Sequence, residues 1–239
     1  MGTFRFKKFE VVNERSAMKV NTDGVLLGAA MTICPSDRRM LDIGTGTGTI
    51  ALMVAQRSGR DVNIHAIDID EASATEASAN FRNSPWGNSL EAFHVSLDEY
   101  EKTLDGQEYD LVFSNPPYFE DSLNAPEERR NNARHTSTGL SYREIFDFAS
   151  RHLSAQGRVS MVLPSETEHS LCRHARMDGL HLMRIIRIRT VPHKAPSRII
   201  AEFSRIRTES AVEEELVIQE KGKYTEQYLS LTSEFYLFA

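Results

Sequence analysis

A short apolar strand that runs directly into a glycine turn is the feature that most constrains the fold. Residues 39–43 form the strand, the turn reads DIGTGTG over residues 42–48, and TIALMVAQR follows with the apolar spacing of a helix. Glycine lets a chain turn sharply and lets a ligand approach the backbone without meeting a Cβ atom. A strand, a glycine turn and a helix in this order predict an α/β fold with a ligand site at the turn.

Strands and helices continue to alternate through most of the chain. Six further strands are predicted at residues 62–68, 90–95, 109–113, 157–163, 181–188 and 199–206, with helices at residues 71–82, 142–153 and 166–177. This alternation predicts a doubly wound, mostly parallel sheet of seven strands, with its functional loops at the carboxyl edge. No clear helix separates the last two strands, so the final strand is expected to be antiparallel.

The 239 residues are expected to form a single domain, because no internal repeat or low-complexity linker divides them. Residues 1–37 are interpreted as an N-terminal extension, and the aromatic tail at residues 224–239 is expected to pack against the sheet. Two cysteines cannot make a disulfide framework, and no apolar stretch is long enough for a membrane span. A cytoplasmic protein without a membrane anchor or a metal site is therefore expected, and a monomer is favoured.

Charge is distributed unevenly along the chain. The formal net charge of −6 argues against a generic nucleic-acid coat, but a nucleic-acid substrate needs only a local basic face. Residues 179–201 contain no Asp or Glu and carry five Arg or Lys side chains, whereas acid concentrates at residues 213–215. This stretch predicts a basic face.

The glycine turn and the acid at the end of the next strand predict a cofactor site. Asp68 is placed to hydrogen-bond two ribose hydroxyls, and Asp42 is near enough to the turn to receive an ammonium group, directly or through water. The spacing Gly-x-Gly-x-Gly differs from the Gly-x-Gly-x-x-Gly of dinucleotide sites. An adenosine-type cofactor with an amino-acid tail fits better than a diphosphate, while a nicotinamide site and a bare structural turn remain alternatives.

Residues 114–118, which read SNPPY, follow the predicted strand at 109–113 and so lie at the same edge of the sheet. The two prolines fix the loop and donate no backbone hydrogen bond. The Asn115 side-chain oxygen and a backbone carbonyl could then accept both hydrogens of a planar amino group, which aims the nitrogen lone pair at an electrophile. Asn115, Pro116, Pro117 and Tyr118 are the predicted catalytic residues, with Tyr118 stacking on the planar group. A purely structural Pro-Pro turn is the alternative.

These motifs resemble the Rossmann-like class I S-adenosylmethionine-dependent methyltransferases that carry Asn-Pro-Pro-Tyr. Three N-terminal segments, FRFKKF at 4–9, MKV at 18–20 and TDGVLLG at 22–28, resemble the bacterial tRNA1(Val) adenine-37 N6-methyltransferases. Phe119, residues 133–135, Pro196-x-Arg198 and the Tyr-rich tail are similar to that family as well. The resemblance extends over nearly the whole chain, and the N-terminal segments are what narrow it to this family.

The resemblance implies methyl transfer from S-adenosylmethionine to N6 of an adenine in a tRNA anticodon loop. It also implies that the extension closes over the cofactor through Lys19, Thr22 and Asp23, although an ordinary lysine and a helix cap are the alternatives. The full cofactor set predicted for this chain is Lys19, Thr22, Asp23, Asp42, Gly44, Thr45, Gly46, Gly48, Asp68, Ile69, Ser96 and Asn115.

A stacked adenine cannot present its amino group, so the base must be extruded and held by aromatic and basic side chains. The candidates for RNA contact are Phe119, Arg134, His135, Arg187, Arg189, Lys194 and Arg198. A solvated loop and a solvated strand face are the alternatives for these residues. Competing functions are a protein-glutamine N5-methyltransferase, an N6-adenine methyltransferase on other RNA or DNA, and an RNA-binding module that retains the cofactor without catalysis.

Overall fold

The computed structural model describes residues 2–16, 18–59, 61–117 and 140–237. In this part of the chain the strands are β1 (Thr3–Arg5), β2 (Glu10–Val12), β3 (Arg39–Ile43), β4 (Asn63–Asp68), β5 (Leu90–His94), β6 (Tyr109–Ser114), β7 (Leu153–Pro164), β8 (His181–Arg189), β9 (Arg198–Ser204), β10 (Val212–Val217), β11 (Gln219–Glu220) and β12 (Lys223–Tyr224). The α-helices are α1 (Thr22–Ala30), α2 (Thr49–Arg57), α3 (Glu71–Arg82), α4 (Leu97–Glu101), α5 (Tyr142–His152), α6 (Glu168–Met177) and α7 (Glu226–Thr232).

Strands β3 to β10 form one sheet in the order β10-β8-β9-β7-β6-β3-β4-β5. All neighbours are parallel except that β9 runs antiparallel to both β7 and β8. The predicted doubly wound, mostly parallel sheet is confirmed, as is the antiparallel strand at 198–204. Because β3 and β6 are adjacent and parallel, the glycine turn and the Asn-Pro-Pro segment leave the sheet side by side.

The predicted count of seven strands is wrong, because β10 adds an eighth strand parallel to β8. Three consecutive glutamates in Val212–Val217 argue against a strand when the segment is considered alone. In the sheet these glutamates face the arginines of β8, with nitrogen–oxygen distances of 2.7–3.0 Å. The basic residues of one strand therefore make the acidic neighbour a suitable edge strand.

Helices cover both faces of the sheet, and each face has its own apolar core. One core includes residues of α1, α2, α3 and α7, and the other includes residues of α5 and α6. The aromatic tail packs as expected: Tyr228, Phe235 and Tyr236 are buried, and the Tyr236 ring lies 6.0 Å from that of Phe6. None of the helices in the described ranges combines the length and the hydropathy that crossing a bilayer requires.

Candidate active site

The three glycines of the turn all have left-handed backbone angles, with φ of 73° at Gly44, 56° at Gly46 and 80° at Gly48. Side chains are strained in this region, so the turn requires glycine. Gly48 has a second reason: a Cβ there would lie 2.4 Å from a ring carbon of Phe81 on α3. The last glycine therefore lets the turn itself pack closely on α3, whereas Gly44 and Gly46 line the cleft.

Backbone hydrogen bonds hold the turn against the end of β4. The amides of Gly44 and Thr45 donate to the carbonyl oxygen of Ile67, and the amide of Gly46 donates to Oδ2 of Asp68 at 2.8 Å. Burial raises the pKa of Asp68, although hydrogen bonds from backbone amides oppose the shift. The neighbouring Ile69 is 70% exposed. A carboxylate and an exposed apolar side chain therefore stand together beside the turn.

Asp42, the acid that precedes the turn, is completely buried. Its Oδ2 accepts a hydrogen bond of 2.7 Å from the Thr45 hydroxyl, while its Oδ1 has no hydrogen-bond partner among the described residues. Burial raises the pKa of Asp42 to about 7, and the negative charge of Asp68 adds to the shift. A buried carboxylate oxygen without a donor is unfavourable, so this site fits an ammonium group or a bridging water.

The Asn-Pro-Pro segment is tied directly to the strand that leads into the turn. The hydroxyl of Ser114 donates to the carbonyl oxygen of Ile43 at 2.6 Å, one residue before Gly44. Asn115 is 6% exposed, and Pro116 is buried beside it. The two predicted halves of the site are therefore adjacent. Tyr118 lies outside the described residues.

One cleft joins three regions of the chain. Its lining consists of residues 18–21 and Gly24 from the extension, residues of the range 44–50 from the glycine turn and α2, and Asn115. Met18 reaches the Asn-Pro-Pro segment, where Nδ2 of Asn115 donates to the Met18 sulfur at 3.7 Å. The extension thus forms a wall of the same cleft as the two motifs.

Of the extension residues predicted to bind the cofactor, Lys19 lines the cleft. Its ammonium donates to the carbonyl oxygens of Asn13 and Glu14, at 3.1 and 2.9 Å. Thr22 is exposed at the start of α1. Asp23 forms an ion pair of 2.9 Å with Arg198 at the start of β9. The structure therefore pairs Asp23, a predicted cofactor contact, with Arg198, a predicted RNA contact.

Ser96 follows β5 and is the N-cap of α4. Its hydroxyl accepts from the Glu99 amide at 3.2 Å, and Oε2 of Glu99 accepts from the Ser96 amide at 3.3 Å, which completes a capping box. The Ser96 hydroxyl therefore caps the N-terminus of α4.

The basic stretch is largely neutralised by acids. Arg187 pairs with Glu168 at 2.6 Å and with Glu213 at 2.8 Å, and Arg189 pairs with Glu215 at 3.0 Å. The backbone oxygen of Lys194 accepts a hydrogen bond from Arg189. The sequence indicates a basic face here because the pairing acids are distant along the chain: Glu168 precedes Arg187 by 19 residues, and the β10 glutamates follow Arg187 and Arg189 by 26. Phe119, Arg134 and His135, the other RNA candidates, lie outside the described residues.

Sequence reasoning missed three buried polar side chains on α3, namely Ser73, Glu76 and Asn80. Their spacing of three and four residues in an alanine-rich helix was the signal that could have identified them. It also missed Met18 as a contact of Asn115. In the described part of the chain, no group of His, Cys, Asp and Glu is arranged to hold a metal ion.

The chain is similar in sequence to known methyltransferases. The family model "Methyltransferase small domain" matches residues 16–173. The tRNA1(Val) (adenine(37)-N6)-methyltransferase of Bacteroides fragilis is 40% identical over 98% of this chain and 97% of the relative. The proteins of the same name from Actinobacillus succinogenes and Flavobacterium johnsoniae are 39% and 38% identical, each over 98% of this chain and over 97% and 99% of the relative.

Two solved structures share the fold at low identity. A predicted O-methyltransferase from Agrobacterium tumefaciens superposes with a TM-score of 0.65 at 18% identity, covering 89% of this chain and 96% of that one. The 16S rRNA N2 G1207 methyltransferase of T. thermophilus, solved with AdoMet and guanosine, gives a TM-score of 0.56 at 16% identity, covering 84% of this chain and 49% of that one.

Proposed function

The chain belongs to the tRNA1(Val) (adenine(37)-N6)-methyltransferase family, and from this premise we propose that it transfers a methyl group from S-adenosylmethionine to N6 of adenine 37 in tRNA1(Val). The observation that carries the proposal is the hydrogen bond between Ser114 and Ile43, because it sets Asn115 beside the glycine turn. The whole chain, with residues 1–37 as part of the same domain, is the proposed catalytic unit. Because the proposed substrate is tRNA, we propose that the protein acts in the cytoplasm. We also propose that it acts as a monomer.

The residues around the glycine turn fit an adenosine cofactor with an amino-acid tail. We assign Asp68 to the ribose hydroxyls and the exposed Ile69 to one face of the adenine ring. The orphan Oδ1 of Asp42 is assigned to the amino-acid ammonium, directly or through a water. When bound, S-adenosylmethionine supplies an electrophilic methyl group on a sulfonium centre.

Asn115 and Pro116 are proposed to hold the target amino group. The side-chain oxygen of Asn115 and the backbone carbonyl of Pro116 accept one hydrogen each, which draws the nitrogen lone pair out of conjugation with the ring. Pro117 keeps the second acceptor fixed. No strong base is needed, because the proton leaves after the methyl group has been transferred. The contribution of these residues is positioning and electrostatic stabilisation.

The extruded adenine requires an aromatic platform and contacts to the phosphates of the loop. We propose Tyr118 and Phe119 for stacking, and Arg134 and His135 for the RNA backbone. Lys194, which follows β8, remains a candidate for the same role. Arg187, Arg189 and Arg198 are proposed to act within the protein, because each already pairs with a carboxylate.

The test is to incubate the purified protein with radiolabelled S-adenosylmethionine and with tRNA from a strain that lacks the enzyme, and to identify the labelled nucleoside. We expect N6-methyladenosine at position 37 of tRNA1(Val). Asn115→Ala should lower kcat by about 10²–10³ while tRNA binding persists. Label in protein instead of RNA would support glutamine methylation, and undiminished turnover by the variant would refute the proposed role of Asn115.

A further inference from the structure

Helix α3 carries a stripe of three buried polar side chains. Ser73, Glu76 and Asn80 are 3%, 5% and 1% exposed. Spacings of three and four residues place them on one face of the helix. Buried polar groups are unfavourable unless they are hydrogen-bonded, so such a stripe requires partners.

Glu76 binds three consecutive backbone amides of the N-terminal extension. Its Oε1 accepts from Glu14 at 2.8 Å and from Arg15 at 3.0 Å, and its Oε2 accepts from Ser16 at 3.0 Å. Burial raises the pKa of Glu76, but these amides outweigh burial and hold the pKa below its ordinary value. The carboxylate is therefore charged at neutral pH and binds the extension with charge-assisted hydrogen bonds.

Asn80 pairs with the extension in the manner of a neighbouring strand. Its Oδ1 accepts from the Val12 amide at 2.9 Å, and its Nδ2 donates to the Val12 carbonyl at 3.0 Å. The same Nδ2 also donates to the carbonyl oxygen of Thr47 at 2.9 Å. Because Thr47 belongs to the glycine turn and lines the cleft, Asn80 connects the extension to one wall of the cleft.

Ser73 completes the stripe and leads towards the cleft. Its hydroxyl lies between two oxygen atoms, 2.7 Å from Oδ2 of Asp70, which is the N-cap of α3, and 2.9 Å from the hydroxyl oxygen of Ser16. The Ser16 hydroxyl in turn donates to the carbonyl oxygen of Met18 at 3.2 Å. Met18 is the residue that contacts Asn115 and begins the cleft wall at 18–21.

We propose that Ser73, Glu76 and Asn80 form a positioning clamp, which holds residues 12–16 so that residues 18–21 are preformed as a wall of the cofactor cleft. None of the three lines that cleft. They act through the extension, not on the reacting atoms. The inference rests on the proposed function, because it takes S-adenosylmethionine to occupy this cleft.

A clamp of this kind affects cofactor affinity more than turnover. If the extension is loose, cofactor binding must order it. The apparent affinity is then reduced in proportion to the fraction of molecules in which the extension is already ordered. Once the cofactor is bound, the wall is in place and the methyl transfer proceeds as before. A residue with a purely structural role would lower the melting temperature without this separation of KM from kcat.

The deciding variant is Glu76→Gln, which keeps the size of the side chain but replaces one acceptor oxygen by an NH2 group that faces an amide N–H. We expect the Kd for S-adenosylmethionine, measured by calorimetry, and its KM to rise about tenfold. The kcat at saturating cofactor should stay within about twofold. Amide hydrogen exchange should quicken in the peptide that contains residues 12–16 and remain unchanged in β3 and β6.

Glu91→Gln is the matched control, because Glu91 is an exposed glutamate on β5 and its substitution should alter none of these quantities. If Glu76→Gln fails to fold by circular dichroism, Ser73→Ala decides, with an expected rise in Kd of about threefold. A folded variant with wild-type Kd, or one that loses kcat at unchanged KM, overturns the clamp. Failure of the wild-type protein to bind S-adenosylmethionine would instead overturn the proposed function.

Discussion

Two regions of the sheet differ in how completely their charged side chains are paired. At the glycine turn, Asp42 is buried with one carboxylate oxygen that has no hydrogen-bond partner in the described part of the chain, and burial raises its pKa to about 7. At the far edge, Arg184, Arg187 and Arg189 of β8 are each matched by a glutamate of β10. A buried carboxylate that is incompletely paired indicates a ligand-binding site. A dense stretch of arginines that are each paired with a glutamate indicates a structural role instead.

The largest expected effect is on Asp42, because its charge is fully desolvated. Asp42→Asn removes the negative charge and keeps the hydrogen bond to Thr45 possible. A charge-assisted hydrogen bond contributes about 1.5–3 kcal/mol, so the Kd for S-adenosylmethionine should rise by about 10- to 150-fold. Calorimetry measures this directly. A Kd within threefold of wild type would remove Asp42 from the cofactor site.

Asp68 should show a smaller effect, because it is less buried and already accepts from two backbone amides. Asp68→Ala is expected to weaken cofactor affinity by about 1–3 kcal/mol, from the loss of charge-assisted hydrogen bonds to the ribose. The check is cofactor Kd by calorimetry, together with the Kd for adenosine alone. Adenosine affinity should fall in parallel for this variant and stay unchanged for Asp42→Asn, which separates the ribose contact from the ammonium contact.

The contrast between the two regions also explains what the sequence could reveal. The glycine turn, Asp68 and Asn115 are local signals, since each motif is contiguous and its strand ends at a known edge of the sheet. The partners of Arg187 and of Glu76 are not local: Glu213 is 26 residues away from Arg187, and Glu14 is 62 residues away from Glu76. Such tertiary contacts decide whether a charged side chain is paired, and the periodicity of the sequence does not reveal them.

The same distinction accounts for the eighth strand. The glutamates of β10 give the segment a poor strand propensity, and the stabilising arginines become visible only when β8 is placed beside it. The clamp on α3 escaped notice for a related reason, since Glu76 and Asn80 bind backbone amides and carbonyls, which any residue could supply. Contiguous motifs were sufficient to predict the proposed site, whereas the contacts that support it became visible only in the fold.

The pH dependence of cofactor affinity should follow Asp42. Burial raises the pKa of this carboxyl to about 7. Below that pH the group is protonated and binds an ammonium poorly, so affinity should rise with pH, by up to about tenfold per unit between pH 5.5 and 7. Calorimetry across this range measures it, and Asp42→Asn should show a flatter profile. A flat wild-type profile would contradict the assignment.

Stability should change with pH in the opposite direction. The pKa of Asp42 is higher in the folded protein than in the unfolded chain, so the folded state holds the proton more tightly. Its stabilisation is complete below the unfolded pKa near 4 and is lost as pH rises through about 7. The free energy of unfolding of the cofactor-free wild type, relative to Asp42→Asn, should therefore fall by a few kcal/mol between pH 4 and pH 8. Urea denaturation at several pH values measures the difference between the two proteins. A difference that does not change with pH would show that folding does not raise the pKa of Asp42.

The smallest effect is expected at the outer edge, with Arg187→Met. Its ion pairs to Glu168 and Glu213 are partly exposed, so their loss should cost about 1 kcal/mol of stability and lower the melting temperature by a few degrees. The KM for tRNA should change less than about twofold, because the arginine is already paired. Arg134→Met is the matched substitution in a proposed RNA contact, and it should raise the KM for tRNA. If Arg187→Met raises the KM for tRNA tenfold, the edge formed by β8 and β10 belongs to the RNA interface. Pairing with a glutamate would then not distinguish a structural arginine from one that binds RNA.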